Sequence, residues 1–279
     1  RQVSALAAGD GVAVTGGEDG TAALWRPSRH DTSVTTRLSS RITAVASAGG
    51  WALAGAADGS AALWPLSSRD PVRLPPARGS VDAAAISANG RLAATGDASG
   101  RVRLWSLAGP GRPAVVADFP ADLHGVVSAA LSADGRRLLV GGSDKLARLW
   151  DVSDPARPVR LADLDNDFRV VASVGFALGS SLAYTGAGGG PVSLWHVTGE
   201  GETRRYATLP SADEVTLSAD GTRMFANGHP AGAVVWDLSR LAGVLRDPVA
   251  AACEIAHGGL EEKEWMRLTE GLAYQRLCP

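Results

Sequence analysis

An all-β fold, a propeller of repeated four-stranded blades, is predicted by three observations on the sequence. Tryptophan recurs at Trp25, Trp64, Trp105, Trp150, Trp195 and Trp236, 39 to 45 residues apart, each closing a decapeptide of one kind, from GGEDGTAALW to NGHPAGAVVW. Ahead of most lies an apolar run, a small turn and a second apolar run, clearest in SANGRLAATGD at 87–97, SADGRRLLVGG at 132–142 and SADGTRMFANG at 218–228. A weaker apolar segment follows, as in PAVVADF after Trp105 and PVRLADL after Trp150. A period of about 40 residues holding four antiparallel strands is the pattern of a propeller blade.

Each element has its own physical reason. The first strands, such as AVASA, AAAIS and SAALS, are rich in alanine, which suits strands crowded near a central axis. Asp-Gly and Asn-Gly tolerate the positive φ of a hairpin turn, so they separate first strand from second and second from third. Six of the eight tryptophans share one slot at the end of the third strand. A residue fixed at one place in every repeat is a packing plate between blades rather than a stacking platform for a sugar or base. GAGGGP at 186–191 lacks the G-K-[ST] ending of a phosphate loop and precedes a strand, so it reads as a hairpin turn.

These residues resemble the WD-repeat β-propeller family from about residue 3 to residue 240. The Trp-Asp pair stands at Trp150-Asp151 and Trp236-Asp237. Asp19, Asp58 and Asp144 match the family's structural Asp six residues before the tryptophan, where Ser99, Gly189 and Pro230 stand in the other repeats. The family's His, Asp, Ser and Trp hydrogen-bonded set is complete in no repeat, so apolar packing is expected to carry more of the stability. The chain opens in a first strand, VSALAA. The ring is expected either to have six blades, LSRLAGVLRD at 238–247 giving the last outer strand, or to be an incomplete seven-bladed one.

The propeller is assigned to 1–246 and a helical C-terminal cap packed on it to 247–279. Asp247-Pro248 opens a helix that Gly258-Gly259 ends. LEEKEWMRL forms a second, with Leu260, Trp265 and Leu268 on one face. Cys253 and Cys278 are the only cysteines. Either they pair, closing a loop whose cross-link contributes about 3 kcal/mol in the chain-entropy model, or both are small buried apolar residues. The pattern C-x-I-A, L-x-x-x-E-W and Y-x-x-x-C-P, carried by Cys253, Ile255, Ala256, Leu260, Glu264, Trp265, Tyr274, Cys278 and Pro279, resembles the ending of bacterial STAND-class NTPases that carry WD repeats. That resemblance implies a sensor or partner-binding end of a longer protein, its effector lying upstream. The absence of an initiator Met at Arg1 fits the same expectation.

A net charge of -2 and no basic stripe exclude nucleic acid as the main ligand, and no apolar run is long enough to span a bilayer. Two cysteines in 279 residues make no disulfide framework, so a cytoplasmic home is expected. His30, His124, His196, His229 and His257 are scattered, and neither H-E-x-x-H nor G-x-S-x-G occurs. No catalytic residue, metal site or cofactor is therefore assigned. The expected function is non-catalytic, a protein-interaction or sensor module of a larger bacterial signalling or defence protein. Two alternatives stay open, an autoinhibitory domain of an upstream NTPase and, third, an enzyme using the channel. Partners are a protein or peptide, or an upstream segment or other chain completing the propeller. Loops joining an outer strand to the next first strand share a face with the turns between second and third strands. There we place the candidate partner-binding residues Arg41, Arg78, His124, Asp167, Phe168, Arg169 and Asp213, since exposed arginines and aromatics are the usual hot-spot types.

Overall fold

The structure, a computed structural model, describes residues 2–29, 31–68, 70–108, 113–121, 124–165, 170–198, 201–218, 220–229, 232–239 and 241, leaving aside the side chains of 29, 31–35 and 229. The chain divides into two compact units, Arg1–Val235 and Trp236–Pro279. Residues 236–239 and 241 of the second are described.

Six antiparallel sheets follow one another along the chain, each ordered as its strands occur in sequence. Blade 1 contains β1 (Val3–Gly9), β2 (Val12–Gly17), β3 (Thr21–Arg26) and β4 (Asp31–Arg37). Blade 2 contains β5 (Ile42–Ala48), β6 (Trp51–Ala56), β7 (Ala61–Pro65) and the three-residue β8 (Val72–Leu74). Blade 3 is β9 (Val81–Ile86), β10 (Leu92–Asp97), β11 (Arg101–Ser106) and β12 (Ala114–Pro120). Blade 4 is β13 (Val126–Leu131), β14 (Arg137–Gly142), β15 (Leu146–Asp151) and β16 (Val159–Asp165). Blade 5 is β17 (Val171–Ala177), β18 (Leu182–Ala187), β19 (Gly190–Val197) and β20 (Thr203–Ala212). In blade 6 three strands are described, β21 (Glu214–Leu217), β22 (Arg223–His229) and β23 (Gly232–Asp237). Leu238 is in no strand, and Ser239 and Leu241 are helical, so the outer strand expected over 238–247 does not begin there. The rest of that segment, with Cys253, Cys278 and the expected helices, lies outside the described residues.

First strands neighbour one another in chain order, β1 to β5, β5 to β9, and so on to β21. Between them the core is a series of inter-blade layers. Leu24 of blade 1 packs with Ala52, Ala54 and Trp64 of blade 2. Leu53 and Leu63 pack with Ala93 and Trp105, Leu104 with Leu138 and Trp150, and Leu149 with Ala183 and Trp195. In blades 2 to 5 the tryptophan face is thus turned to the preceding blade, and in blades 1 to 4 the leucine face to the next. Phe119, on the outer strand of blade 3, stacks tilted on Trp150 at 4.7 Å.

One glycine in each of blades 1 to 4 makes this approach close enough. A Cβ on Gly16 would collide with Ile42, one on Gly55 with Val81, one on Gly96 with Val126 and one on Gly141 with Val171. The branched residue that opens each of β5, β9, β13 and β17 therefore seats in a socket left by a missing side chain on the preceding blade. Hydroxyls add to the seam. Ser4 Oγ donates to the Ile42 carbonyl at 2.6 Å, Thr43 Oγ1 to that of Val81 at 2.6 Å and Ser128 Oγ to that of Val171 at 3.0 Å.

The tryptophan slot is more polar than the sequence discloses. Trp25, Trp105 and Trp195 donate their indole N–H to Thr15, Thr95 and Thr185 at 2.9, 3.0 and 3.0 Å. Ala54 and Val140 hold the threonine position in blades 2 and 4, and there the buried indoles of Trp64 and Trp150 have no hydrogen-bond partner among the described residues. Burial differs as well. Trp64 is fully buried and Trp195 is 7% exposed, but Trp25 is 45% exposed.

Candidate interaction face

Strand direction alternates within each blade, so turns between second and third strands and loops between blades emerge at one end of the strands. The turns are built by aspartate. Asp58 Oδ1 accepts from Ser60 N at 3.0 Å and Ser60 Oγ at 2.6 Å, and Asp19 Oδ1 accepts from Thr21 N at 3.1 Å. The Ser60 hydroxyl is the main cause that holds the Asp58 carboxyl below its ordinary value. In blade 4, Asp144 accepts from Leu146 N and pairs with the buried Arg148 guanidinium. Burial alone would raise the Asp144 carboxyl, but the hydrogen bonds and positive charge of Arg148 bring it below its ordinary value.

Blade 3 solves the same problem with a residue that sequence alignment overlooked. Ser99 occupies the aligned position, yet the carboxylate comes from Asp97, two residues earlier. Its Oδ1 accepts from Ser99 N at 2.9 Å, Ser99 Oγ at 2.6 Å and Arg101 N at 3.2 Å, while Asp97 itself is buried. Its only sequence signal was an aspartate closing SANGRLAATGD where the other repeats have Gly or Ala.

Turns and loops are tied through the main chain. Ala57 N donates to the Arg41 carbonyl at 3.0 Å, Ala98 N to that of Ser80 at 2.9 Å, and Ser143 N to that of Gly125 at 3.0 Å. Outer strands return to the same turns, with Leu38 N on Gly20, Ala77 N on Gly59 and Ala121 N on Gly100. Gly20, Gly59 and Gly100 have φ of 78°, 84° and 80°; in blade 4 the equivalent residue is Lys145, at φ 76°. A side chain there costs about 1–2 kcal/mol relative to glycine, and the Lys145 side chain is exposed on this face.

Of the seven candidate residues, Arg41, Arg78, His124 and Asp213 are described. All four are exposed and lie on loops between blades: Arg41 before β5, Arg78 before β9, His124 before β13 and Asp213 before β21. Arg78 N approaches Asp97 Oδ2 at 3.4 Å, and His124 lies close enough to Asp144 to favour its ionised form. Asp213 N donates to the Asn227 carbonyl at 2.9 Å. Asp167, Phe168 and Arg169 lie outside the described residues. No three His, Cys, Asp or Glu among the described residues are grouped to hold a metal ion, and no described helix is long and apolar enough to cross a membrane.

At the other end of the strands, an open cleft of about 530 Å³ between blades 4 and 5 is lined by Asp134, Arg136, Arg137, Asp151 and the Gly179–Ser181 turn among others. It mixes two arginines with two carboxylates. Burial would raise the Asp134 carboxyl, but the Ser132 hydroxyl and Arg136 N–H, with the charges of both arginines, lower it.

A repeat propeller with a rigid, polar loop face is the class of protein that these features define. Residues 72–106 and 116–151 match the family described as WD domain, G-beta repeat. Each match begins in an outer strand and runs through the next blade to its tryptophan. The chain folds as a β-propeller whose blades 3 and 4 carry repeats of the WD type. No curated protein matches it. Among solved structures, the crystal structure of the computationally designed Ika8 protein is similar, with a TM-score of 0.67 and 19% identity over 84% of this chain and 70% of that chain, a likeness of fold.

Proposed function

We propose that the chain is a non-catalytic interaction module that binds a protein or peptide through the loop face bearing Arg41, Arg78 and His124. The observation that carries this reading is the pairing of exposed arginine and imidazole side chains with a backbone fixed by turn aspartates and inter-loop hydrogen bonds. Such loops lose little freedom on binding, which favours affinity. The exposed Lys145, kept in a backbone region that favours glycine, supports the same face, since strain of this kind gathers at binding sites. Likeness to bacterial STAND-class endings rests on the tail sequence alone and supports a place in a cytoplasmic signalling protein, with the module as sensor.

The test is affinity capture with the whole chain as bait, against a bait carrying Arg41→Ala, Arg78→Ala and His124→Ala. We expect the partner's affinity to fall at least tenfold, the size of one or two hot-spot losses. Equal capture by a folded triple variant sinks the placement of the face.

A further inference from the structure

The tryptophan face of blade 1 is built like the four that pack on a preceding blade, yet it is open. Trp25 keeps the indole bond to Thr15 found in blades 3 and 5. Val3 stands where Ile42, Val81, Val126 and Val171 seat in glycine sockets. Those four are 0–1% exposed, whereas Val3 is 58% exposed. Leu6, opposite Thr15 in the ladder, is 69% exposed, and its counterpart Val45 packs on blade 1. At the other end of the series, blade 6 is open on its leucine face, with Phe225 41% and Val235 57% exposed.

The simplest closure would set these two faces together, but blade 6 has no socket. Nine residues before the tryptophan, where blades 1 to 5 have Gly16, Gly55, Gly96, Gly141 and Gly186, blade 6 has Asn227. Its amide is anchored, Oδ1 accepting from Glu214 N at 3.2 Å and Nδ2 reaching Glu214 Oε2 at 3.3 Å. A side chain thus fills the place that Val3 would need. A second copy of the chain offers nothing better, because its glycine sockets are already occupied by Ile42, Val81, Val126 and Val171, with Val215 beside Gly186.

We infer that the face formed by Val3, Leu6 and Trp25 is a docking surface for a further four-stranded β-sheet from outside residues 1–279, one that carries a glycine at the socket position of its second strand. The argument is continuity. The same interface recurs between successive blades inside the chain, and only its receiving half is missing at blade 1. This surface is separate from the loop face, so loss of partner capture by the arginine variants would leave it untouched.

The first test uses the chain as it is. The fluorescence removed by Trp25→Phe should be the fraction most open to acrylamide quenching, in a monomer. Spin labels at Leu6→Cys and Val235→Cys, with Cys253 and Cys278 changed to serine, should lie well beyond the roughly 10 Å of two faces in contact. A shielded Trp25, a contact distance, or an oligomer that shields Trp25 would each overturn the inference. The second test supplies a blade of known chemistry, residues 79–125 duplicated and fused ahead of Val3, so that Gly96 of the duplicate provides the socket. Quenching of Trp25 should fall several-fold. It should return when the duplicate alone carries Gly96→Val. Equal protection by the filled socket, or no protection by a folded duplicate, also overturns the inference.

Discussion

Trp64 and Trp150 bury an indole N–H that has no partner among the described residues, at the position where three other blades supply a threonine hydroxyl. Val140→Thr keeps the shape of the side chain and adds that hydroxyl beside Trp150. We expect it to raise the unfolding free energy by roughly 0.5–1.5 kcal/mol, measured from the urea midpoint at constant slope. The sign follows because an unmade buried hydrogen bond costs more than a made one contributes. The tryptophans were legible in the sequence because a large residue repeated at fixed spacing needs no context. Their partners were not. Thr15, Thr95 and Thr185 precede a glycine in each case, but Ala54, Val140 and Ala226 break the series in three of the six blades, and a hydroxyl ten residues away is linked to the ring only by strand register. Asp97 escaped for a similar reason, since a carboxylate can cap the same turn from either side of it.

Turns between first and second strands are elements in their own right. Ser87, Ser132 and Ser218 each donate a hydroxyl to Asn89, Asp134 or Asp220 and accept the N–H of the residue opening the next strand. Asp220 is lowered to about 2, chiefly by the Ser218 hydroxyl and the Thr222 N–H, and Asp151 is lowered by Ser153. Carboxyls that titrate below 3.8 when folded bind fewer protons in the native than in the unfolded chain as the pH nears that value. Their contribution is therefore present above 3.8 and lost as the pH falls through the folded values. Urea midpoints should stay flat down to about pH 5 and fall between there and about pH 2; a midpoint that rises on acidification contradicts these assignments. These turns were readable from S-A-[DN]-G. The corresponding turn of blade 5, with Leu178, Gly179 and Ser180 all at positive φ, carries no such motif and was not readable. Nor were strand lengths, which run from three residues in β8 to ten in β20, because outer-strand pairing is set by neighbouring loops rather than by apolar pattern.

Across the whole molecule, stability is close to a sum over blades and the layers between them. Each layer depends on one glycine. Gly55→Ala, which forces a methyl into Val81, is expected to cost roughly 1–3 kcal/mol. Asn227→Ala, where the socket is already filled, should cost under about 1 kcal/mol through the lost Glu214 contact. Equal costs by chemical denaturation would show that the sockets do not govern packing. The six tryptophan-bearing repeats and their order were plain in the sequence, whereas the choice between a six-bladed and an incomplete seven-bladed ring was not. That Arg41, Arg78, His124 and Asp213 lie between strands was legible, because a connection between two strands is located by the strands themselves. What faces what between blades was hidden, since a glycine by itself does not say whether it bends the chain or makes room for a neighbour.

Asn227 has one more consequence. A stack of self-similar sheets with a plug at one end and a vacant socket at the other would be a monomer in the polymer chemist's sense, free to add to itself head to tail without limit. By stopping its own socket with an amide, the last blade acts as a chain terminator. The apolar plug formed by Val3, Leu6 and Trp25 therefore finds no seat on blade 6 of another copy.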